Sequence, residues 1–415
     1  MWERKHSMKP TNPVFTGLPT TIFETMSRLA IAHGAINLGQ GFPDVDGPQD
    51  VRQAAADALM AGPNQYPPML GLPELRQAVA ASTKRFYGLD VDWQSEVMVT
   101  SGATEALADV LLALLEPGDE VILIEPLYDC YLPLVKRAGG IPVRLRVTPP
   151  QWKLDLGKLA DAFTENTKAI LINNPMNPAG KVFEEEELAA IARLCNEHGV
   201  YAICDEVYEH LLFDGRQHLP LMAFPGMRER AVRIGSAGKT FSLTGWKVGY
   251  VTAAPNLLDP IAKAHQFVTF TTPPNLQKAV AYGFGKEDSY FVSLREEMQA
   301  KRDRFASGLA ALGFGVLPCE GTYFLTCDVS TLGLQGTDVD ICRQLVEEAG
   351  VAAVPVSAFY VADAPTNFVR FCFCKKDEVL DGALQRLGAF LSARGGGVSA
   401  VLAAPGSVQA AAERA

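Results

Sequence analysis

The chain has 415 residues, 48% of them hydrophobic and 20% charged, with a formal net charge of −10; that length suits two domains, or one large α/β domain with a smaller companion. The acidic balance argues against a basic nucleic-acid face, and no apolar run approaches the roughly 18 residues of a membrane helix. Met1 to His6 is charged with no apolar stretch behind it, which is not a secretory signal, and eight scattered cysteines in mostly apolar surroundings read as buried thiols of a reducing cytoplasm.

Residues 1 to 20 are Pro- and Thr-rich and read as an extended arm, followed by a helix from Phe23 to Ala32 with Thr20 or Thr21 as its N-cap. Asn37 to Asp44 is a Gly/Pro loop, in which Gly39 and Gly41 permit close backbone approach or simply make a turn. Gln49 to Ala61 reads as a helix, Asn64 to Pro68 as an extended loop, and Pro73 to Phe86 as a helix opened by proline. Val97 to Thr100 is a short strand that runs into Ser101-Gly102-Ala103-Thr104 and an apolar helix to Leu115. Free N–H groups and the positive end of the helix dipole make such a turn an anion site, although a plain capped helix has the same pattern.

Strand-like runs then alternate with helical ones: Val121–Ile124, Ala169–Ile172, Tyr201–Cys204 and the run around Val232, with helices from Tyr131 to Ala138 and Glu184 to His198. Continuous apolar strands separated by helices imply a mostly parallel sheet covered on both faces, and ligands of such sheets lie beyond the carboxyl ends of the strands. The residues just past each strand are therefore the informative ones. The strand ends offer the Ser101–Thr104 turn, Tyr128, the Asn173–Pro178 segment with Asn177, Asp205 with Tyr208, and Ser236 with Lys239. Lys239 lies in a small-residue turn, Gly235 to Gly249, where an amine can form a Schiff base with an aldehyde if burial or a neighbouring cation depresses its pKa. Lys247, eight residues on, is the expected cation and a possible phosphate ligand. Taken alone, the turn is also what an exposed surface lysine would look like.

From about residue 290 the pattern becomes α+β: a long helix from Phe291 to Leu312, a strand from Gly321, a helix from Asp338 to Ala349, strands at Val351–Pro355 and Phe368–Phe373, and a helix from Lys376 to Arg394. Arg370, alternating with apolar neighbours on its strand, is either a structural ion pair or a carboxylate clamp. Cys372 and Cys374 share a strand face, but one such pair without a second pair or a histidine is a poor zinc site, and no metal is expected. The chain divides into an N-terminal arm and helix (1–45) joining the small domain, a large domain (46–290), a small C-terminal domain (291–394) and an Ala/Gly/Ser-rich tail (395–415) that reads as disordered.

Asn37 to Asp44, Asn64-Gln65-Tyr66, Asn174 to Gly180, Asp205-Glu206-Val207-Tyr208, Ser236 to Gly249 and Val369-Arg370-Phe371 together resemble the fold-type-I pyridoxal-phosphate aminotransferases of class I/II. The similarity runs from about Gly17 to Arg394 and is nearest to the kynurenine aminotransferase/glutamine transaminase K group and the bacterial methionine and aromatic aminotransferases. It implies a fold-type-I sheet with a smaller α+β domain and pyridoxal 5′-phosphate as cofactor. Lys239 would hold the cofactor and move the α-proton, Asp205 would pair with the ring nitrogen, Tyr208 and Asn177 would address the ring hydroxyl, and Tyr128 would stack on the ring. Gly102, Ala103, Thr104, Ser236 and Lys247 would take the phosphate, with Lys247 standing where many relatives carry arginine. Arg370 would clamp the substrate carboxylate, with Asn177 as a second possible contact. Tyr66 would reach the phosphate of a partner subunit in a homodimer with shared sites, and Phe23, Gly41 and Phe270 would line the side-chain pocket, unless the two phenylalanines are core residues. Thr271 replaces a histidine of the animal kynurenine enzymes. The activity implied is transfer of an amino group from an L-amino acid (methionine, glutamine, aromatic or kynurenine type) to a 2-oxo acid. Cysteine S-conjugate β-elimination and succinyl-diaminopimelate transamination are the alternatives, and a cofactor-binding regulator is disfavoured by the acidic charge.

Overall fold

A computed structural model describes residues 8–394; the tail expected to be disordered lies outside them. Seven strands form the main sheet, in the spatial order 97–100, 249–252, 231–236, 201–205, 167–173, 120–125 and 141–146. All neighbours are parallel except Gly249–Thr252, which runs antiparallel to both of its own. The central strands are buried on both faces, as their mostly apolar runs require; the exception, Arg233, is buried in ion pairs with Glu206 and Glu209. Register aligns their carboxyl ends: Asn173 lies opposite Asp205, Asp205 opposite Ile234, and Ser236 opposite Gly249.

One strand, Ile141–Arg146, was not anticipated. It is an edge strand whose Arg144 and Arg146 reach Glu125, so its sequence lacks the continuous apolar run of a central strand. The helices Pro255–Val268 and Pro274–Phe284 were also not assigned from sequence. Both begin with proline at a permitted first-turn position. Pro255–Val268 packs on Gly102–Leu114, and Pro274–Phe284 on Gln49–Ala61.

A second, antiparallel sheet holds 354–355, 368–372, 324–328 and 315–316. Helix Asp288–Ala311 packs on helix Asp377–Ala393 beside it. The loop from Ile36 is tethered here: Ile36 and Asn37 pair with Val351 and Ala352, and Cys372 N–H donates to Leu38 O. Helix Ile22–His33, capped by Thr21 as expected, sends Met26 and Ala30 into the same core. The arm before it is not fully extended, because Asn12 caps a helical turn at Pro13–Thr16. Cys372 and Cys374 are buried, their sulfurs 3.1 Å apart. No helix among the described residues is long and apolar enough to cross a membrane.

Candidate active site

Lys239 occupies the short helical turn Ala237–Thr240 that follows strand Ala231–Ser236. Its Nζ donates to the Tyr323 hydroxyl at 2.9 Å, and that hydroxyl donates to Gly41 O at 2.7 Å. A tyrosine has one proton, so with that proton committed to Gly41 the oxygen only accepts from the lysine. Burial lowers the lysine pKa, and the Arg370 charge pushes the same way against the opposing pull of Cys374, Cys372 and Asp205. This corrects one expectation. Arg370 outranks Lys247 as the cation acting on Lys239. The Lys247 side chain is turned instead to the Ser101–Thr104 turn, where a Cβ added to Gly102 would meet its Nζ at 3.1 Å.

Asp205 ends the central strand and is buried. The Tyr131 hydroxyl donates to its Oδ2 at 2.6 Å, and Val207 N–H reaches Oδ1 at 3.4 Å. Burial raises its pKa to about 6, only partly offset by Tyr131. The carboxylate is thus buried without an ion-pair partner among the described residues, a condition that a cationic ring nitrogen would relieve. Asn173 supports the strand end, its Nδ2 donating to Asp205 O at 3.0 Å and its Oδ1 accepting Asn177 N–H at 2.7 Å.

A cavity of about 140 Å³ opens above these groups. Gly102, Ala103, Thr104 and Ser236 line one end, with Lys247; Tyr128, Asn177, Asp205, Tyr208 and Lys239 line the rest. Gly102 has φ +76°, a conformation that favours glycine. Gly249 is equally constrained: a Cβ there would fall 2.6 Å from the Gly102 carbonyl carbon, so only glycine lets the strand close under the turn.

Arg370 is buried. Its Nη1 donates to Asn177 Oδ1 and its Nη2 to Gly39 O, each at 2.8 Å. Its Nε has no partner among the described residues. The guanidinium lies 3.8 Å over the Phe324 ring, with Phe359 and Phe23 at 5.1 and 5.3 Å. Burial pushes its pKa down to about 10, so it stays charged at neutral pH. No carboxylate forms an ion pair with it among the described residues, which removes the structural-pair reading. Asn177 uses its side-chain oxygen on Arg370, leaving its amide nitrogen as a donor toward the cavity.

Gly41 joins the site through Tyr323, and Phe23 joins through Arg370 and an edge contact with Phe359 at 5.8 Å. Tyr66 and Phe270 do not join it. They pack edge to face at 5.4 Å, with Tyr66 81% exposed. Sequence reasoning missed Tyr131 and Tyr323, and placed Asn173 at a strand end without giving it a role. Tyr131 had a signal, one helical turn after Tyr128 beyond a strand end. Tyr323 had none beyond its place on the strand expected from Gly321, which in the structure begins only at Phe324, because its role depends on how the small sheet meets the large one.

The class I and II aminotransferase family matches residues 33–387. The probable N-succinyldiaminopimelate aminotransferase of Mycobacterium tuberculosis strain H37Rv is 46% identical over 379 residues, covering 89% of this chain and 95% of that protein. The methionine aminotransferase of Escherichia coli K12 is 42% identical over 370 residues, covering 89% and 96%. The solved structure of N-succinyldiaminopimelate aminotransferase from M. tuberculosis superposes with a TM-score of 0.89 at 45% identity, covering 92% of this chain and all of that one. With the seven-stranded sheet, the smaller antiparallel unit and the lysine site, these matches identify the chain as a member of the class I and II aminotransferases.

Proposed function

We propose that this aminotransferase works with pyridoxal 5′-phosphate, the cofactor its family typically uses, and takes nitrogen from an L-amino acid with a large apolar, thioether or aromatic side chain. The observation that supports it best is one cavity holding a pKa-lowered amine, a buried unpaired carboxylate and a glycine-lined anion turn. The donor set fits the cofactor group by group. Gly102 to Thr104, Ser236 and Lys247 suit a phosphate, Asp205 suits a protonated ring nitrogen, and Tyr128 and Tyr208 suit the ring and its hydroxyl.

When bound, pyridoxal phosphate supplies an aldehyde that takes up the amino group and a protonated ring that draws in the electron pair left at the α-carbon. Lys239 would hold the aldehyde, and as a free neutral amine it would move the proton at the substrate's α-carbon. Tyr323 holds one of its N–H bonds and leaves the lone pair free. Asp205 would keep the ring nitrogen protonated, with Tyr131 fixing the carboxylate. Arg370 takes the substrate carboxylate, its Nε and guanidinium edge completing the contact beside Asn177.

The surroundings of Arg370 support an apolar donor: Phe23, Phe324 and Phe359 enclose it. Succinyl-diaminopimelate is the second reading, favoured by the 46% identity to an enzyme of that name; its distal carboxylates call for a further cation near the pocket. A cysteine S-conjugate would use the same residues and differ by losing a β-leaving group. A donor screen with 2-oxoglutarate as fixed acceptor separates these. Methionine or an aromatic amino acid as the preferred donor supports the proposal. Preference for succinyl-diaminopimelate, or pyruvate release from an S-conjugate outpacing amino transfer, would displace it.

We further propose a homodimer in which Tyr66 and Phe270 serve the partner's site, supported by their exposure and their separation from their own cavity. The division near residues 45 and 290 is likewise our reading, supported by helix Ile22–His33 packing on helix Asp338–Glu347.

A further inference from the structure

Helix Pro255–Val268 buries His265 completely against helix Gly102–Leu114. The His265 Nδ1 lies 2.7 Å from Glu105 Oε1, and Nε2 lies 3.1 Å from Met69 O. A carboxylate and a carbonyl oxygen can only accept, so both contacts are satisfied only when both ring nitrogens carry protons. Asp109, one turn beyond Glu105, places Oδ2 3.5 Å from Nδ1. It is fully buried, and beyond that contact neither of its oxygens has a hydrogen-bond partner among the described residues. The pocket is built for a cation, and the ring is that cation.

The ring's partners lead to functional segments. The second oxygen of Glu105, Oε2, accepts the N–H of Ser101, whose own side chain does not cap the helix. Ser101 opens the turn that continues through Gly102, Ala103 and Thr104. On the other side, Met69 belongs to the loop that carries Tyr66. The main-chain oxygen of His265 accepts Thr269 N–H and Phe270 N–H at 3.1 and 2.9 Å. One buried histidine therefore joins the anion turn to the Met69 loop through its ring, and to Thr269 and Phe270 through its main chain.

We propose that His265 is a positioning residue: as an imidazolium it holds Glu105, and through Glu105 the N–H groups of the Ser101–Thr104 turn, in the geometry that grips a phosphate. The proposal rests on the reading of that turn as the cofactor's phosphate site. The titratable groups facing the ring are Glu105 and Asp109, both from helix Gly102–Leu114; the Met69 loop presents only its carbonyl. Burial opposes the charge, but the two carboxylates outweigh it and raise the pKa of His265 to about 9. The grip is thus expected to hold at neutral pH and loosen as pH rises through that value.

The test uses the full chain freed of cofactor and measures equilibrium affinity for pyridoxal phosphate and for pyridoxal, which lacks the phosphate, from about pH 7.5 to 10. The ratio of the two affinities reads the phosphate turn alone. In the wild type the ratio is expected to fall through about pH 9. In H265N it is expected to be about tenfold smaller at the low end, the scale of one charge-assisted hydrogen bond, and to lack that break. D109N keeps the ring but removes one of the charges holding its proton, so the break should move to lower pH; this variant serves if H265N does not fold. A ratio and pH profile in H265N equal to the wild type, or an unmoved break in D109N, would overturn the proposal. So would a stoichiometric divalent cation in the purified protein that H265N loses, since Glu105, Asp109 and His265 would then be its ligands. A wild type that prefers pyridoxal phosphate no more than pyridoxal would instead remove the phosphate reading itself.

Discussion

Replacing Asp205 by asparagine should push stability and activity in opposite directions. In the cofactor-free protein the carboxylate is fully buried, hydrogen-bonded chiefly to Tyr131, and has its pKa raised from 3.8 to about 6. The folded state therefore disfavours the ionised form that the unfolded chain accommodates. A shift of roughly two units corresponds to about 3 kcal/mol at neutral pH. The sign follows from proton binding. A raised carboxyl pKa contributes stability below the unfolded value, near pH 4, and loses it as pH climbs through about 6. Asp205→Asn keeps an acceptor for Tyr131 and removes the charge. In urea unfolding of cofactor-free protein, the variant should match the wild type near pH 4 and exceed it by up to about 3 kcal/mol at pH 7. Transamination should meanwhile fall by at least about a hundredfold, because a neutral amide cannot keep the ring nitrogen protonated. Equal stabilities at pH 7, or a destabilised variant, would refute the idea of a stored electrostatic cost; retained activity would remove Asp205 from the ring nitrogen.

Lys239→Ala should still take up pyridoxal phosphate but lose amino transfer by about a thousandfold or more, read as single-turnover rate with a good donor. Tyr323→Phe frees one N–H of Lys239 and strands Gly41 O. A loss of about tenfold in kcat with a larger isotope effect from an α-deuterated donor is expected, and an unchanged isotope effect would leave Tyr323 with a packing role only. Arg370→Lys keeps the charge but not the fork, so KM for the amino acid should rise about tenfold or more with the cofactor spectrum intact, checked by initial rates.

Much of this site was readable because strand ends are local features. The runs before Asn173 and Asp205 are apolar without interruption and that before Ser236 is broken only by Arg233, which is buried in ion pairs with Glu206 and Glu209, as a doubly covered parallel sheet demands, and the polar residues just beyond the runs meet at one edge. What escaped depends on contacts between distant segments. Tyr323 reaches Lys239 because the small sheet lies against the large one, and no spacing in the sequence encodes that approach. Arg370 displaced Lys247 as the cation acting on Lys239 for the same reason. The Ile141–Arg146 strand hid because its arginines serve Glu125 at a sheet edge, so it looks half polar. His265 lies in a helix not assigned from sequence; only the packing of two helices shows that both ring nitrogens meet acceptors.

The central claim is that the amine of Lys239 is the one that captures the cofactor's aldehyde. Borohydride reduction of the protein loaded with pyridoxal phosphate, followed by digestion and peptide mass spectrometry, tests it directly. The expected result is a single phosphopyridoxyl adduct on Lys239, absent after Lys239→Ala. An adduct on Lys247 or any other lysine, with Lys239 unmodified, would contradict the account.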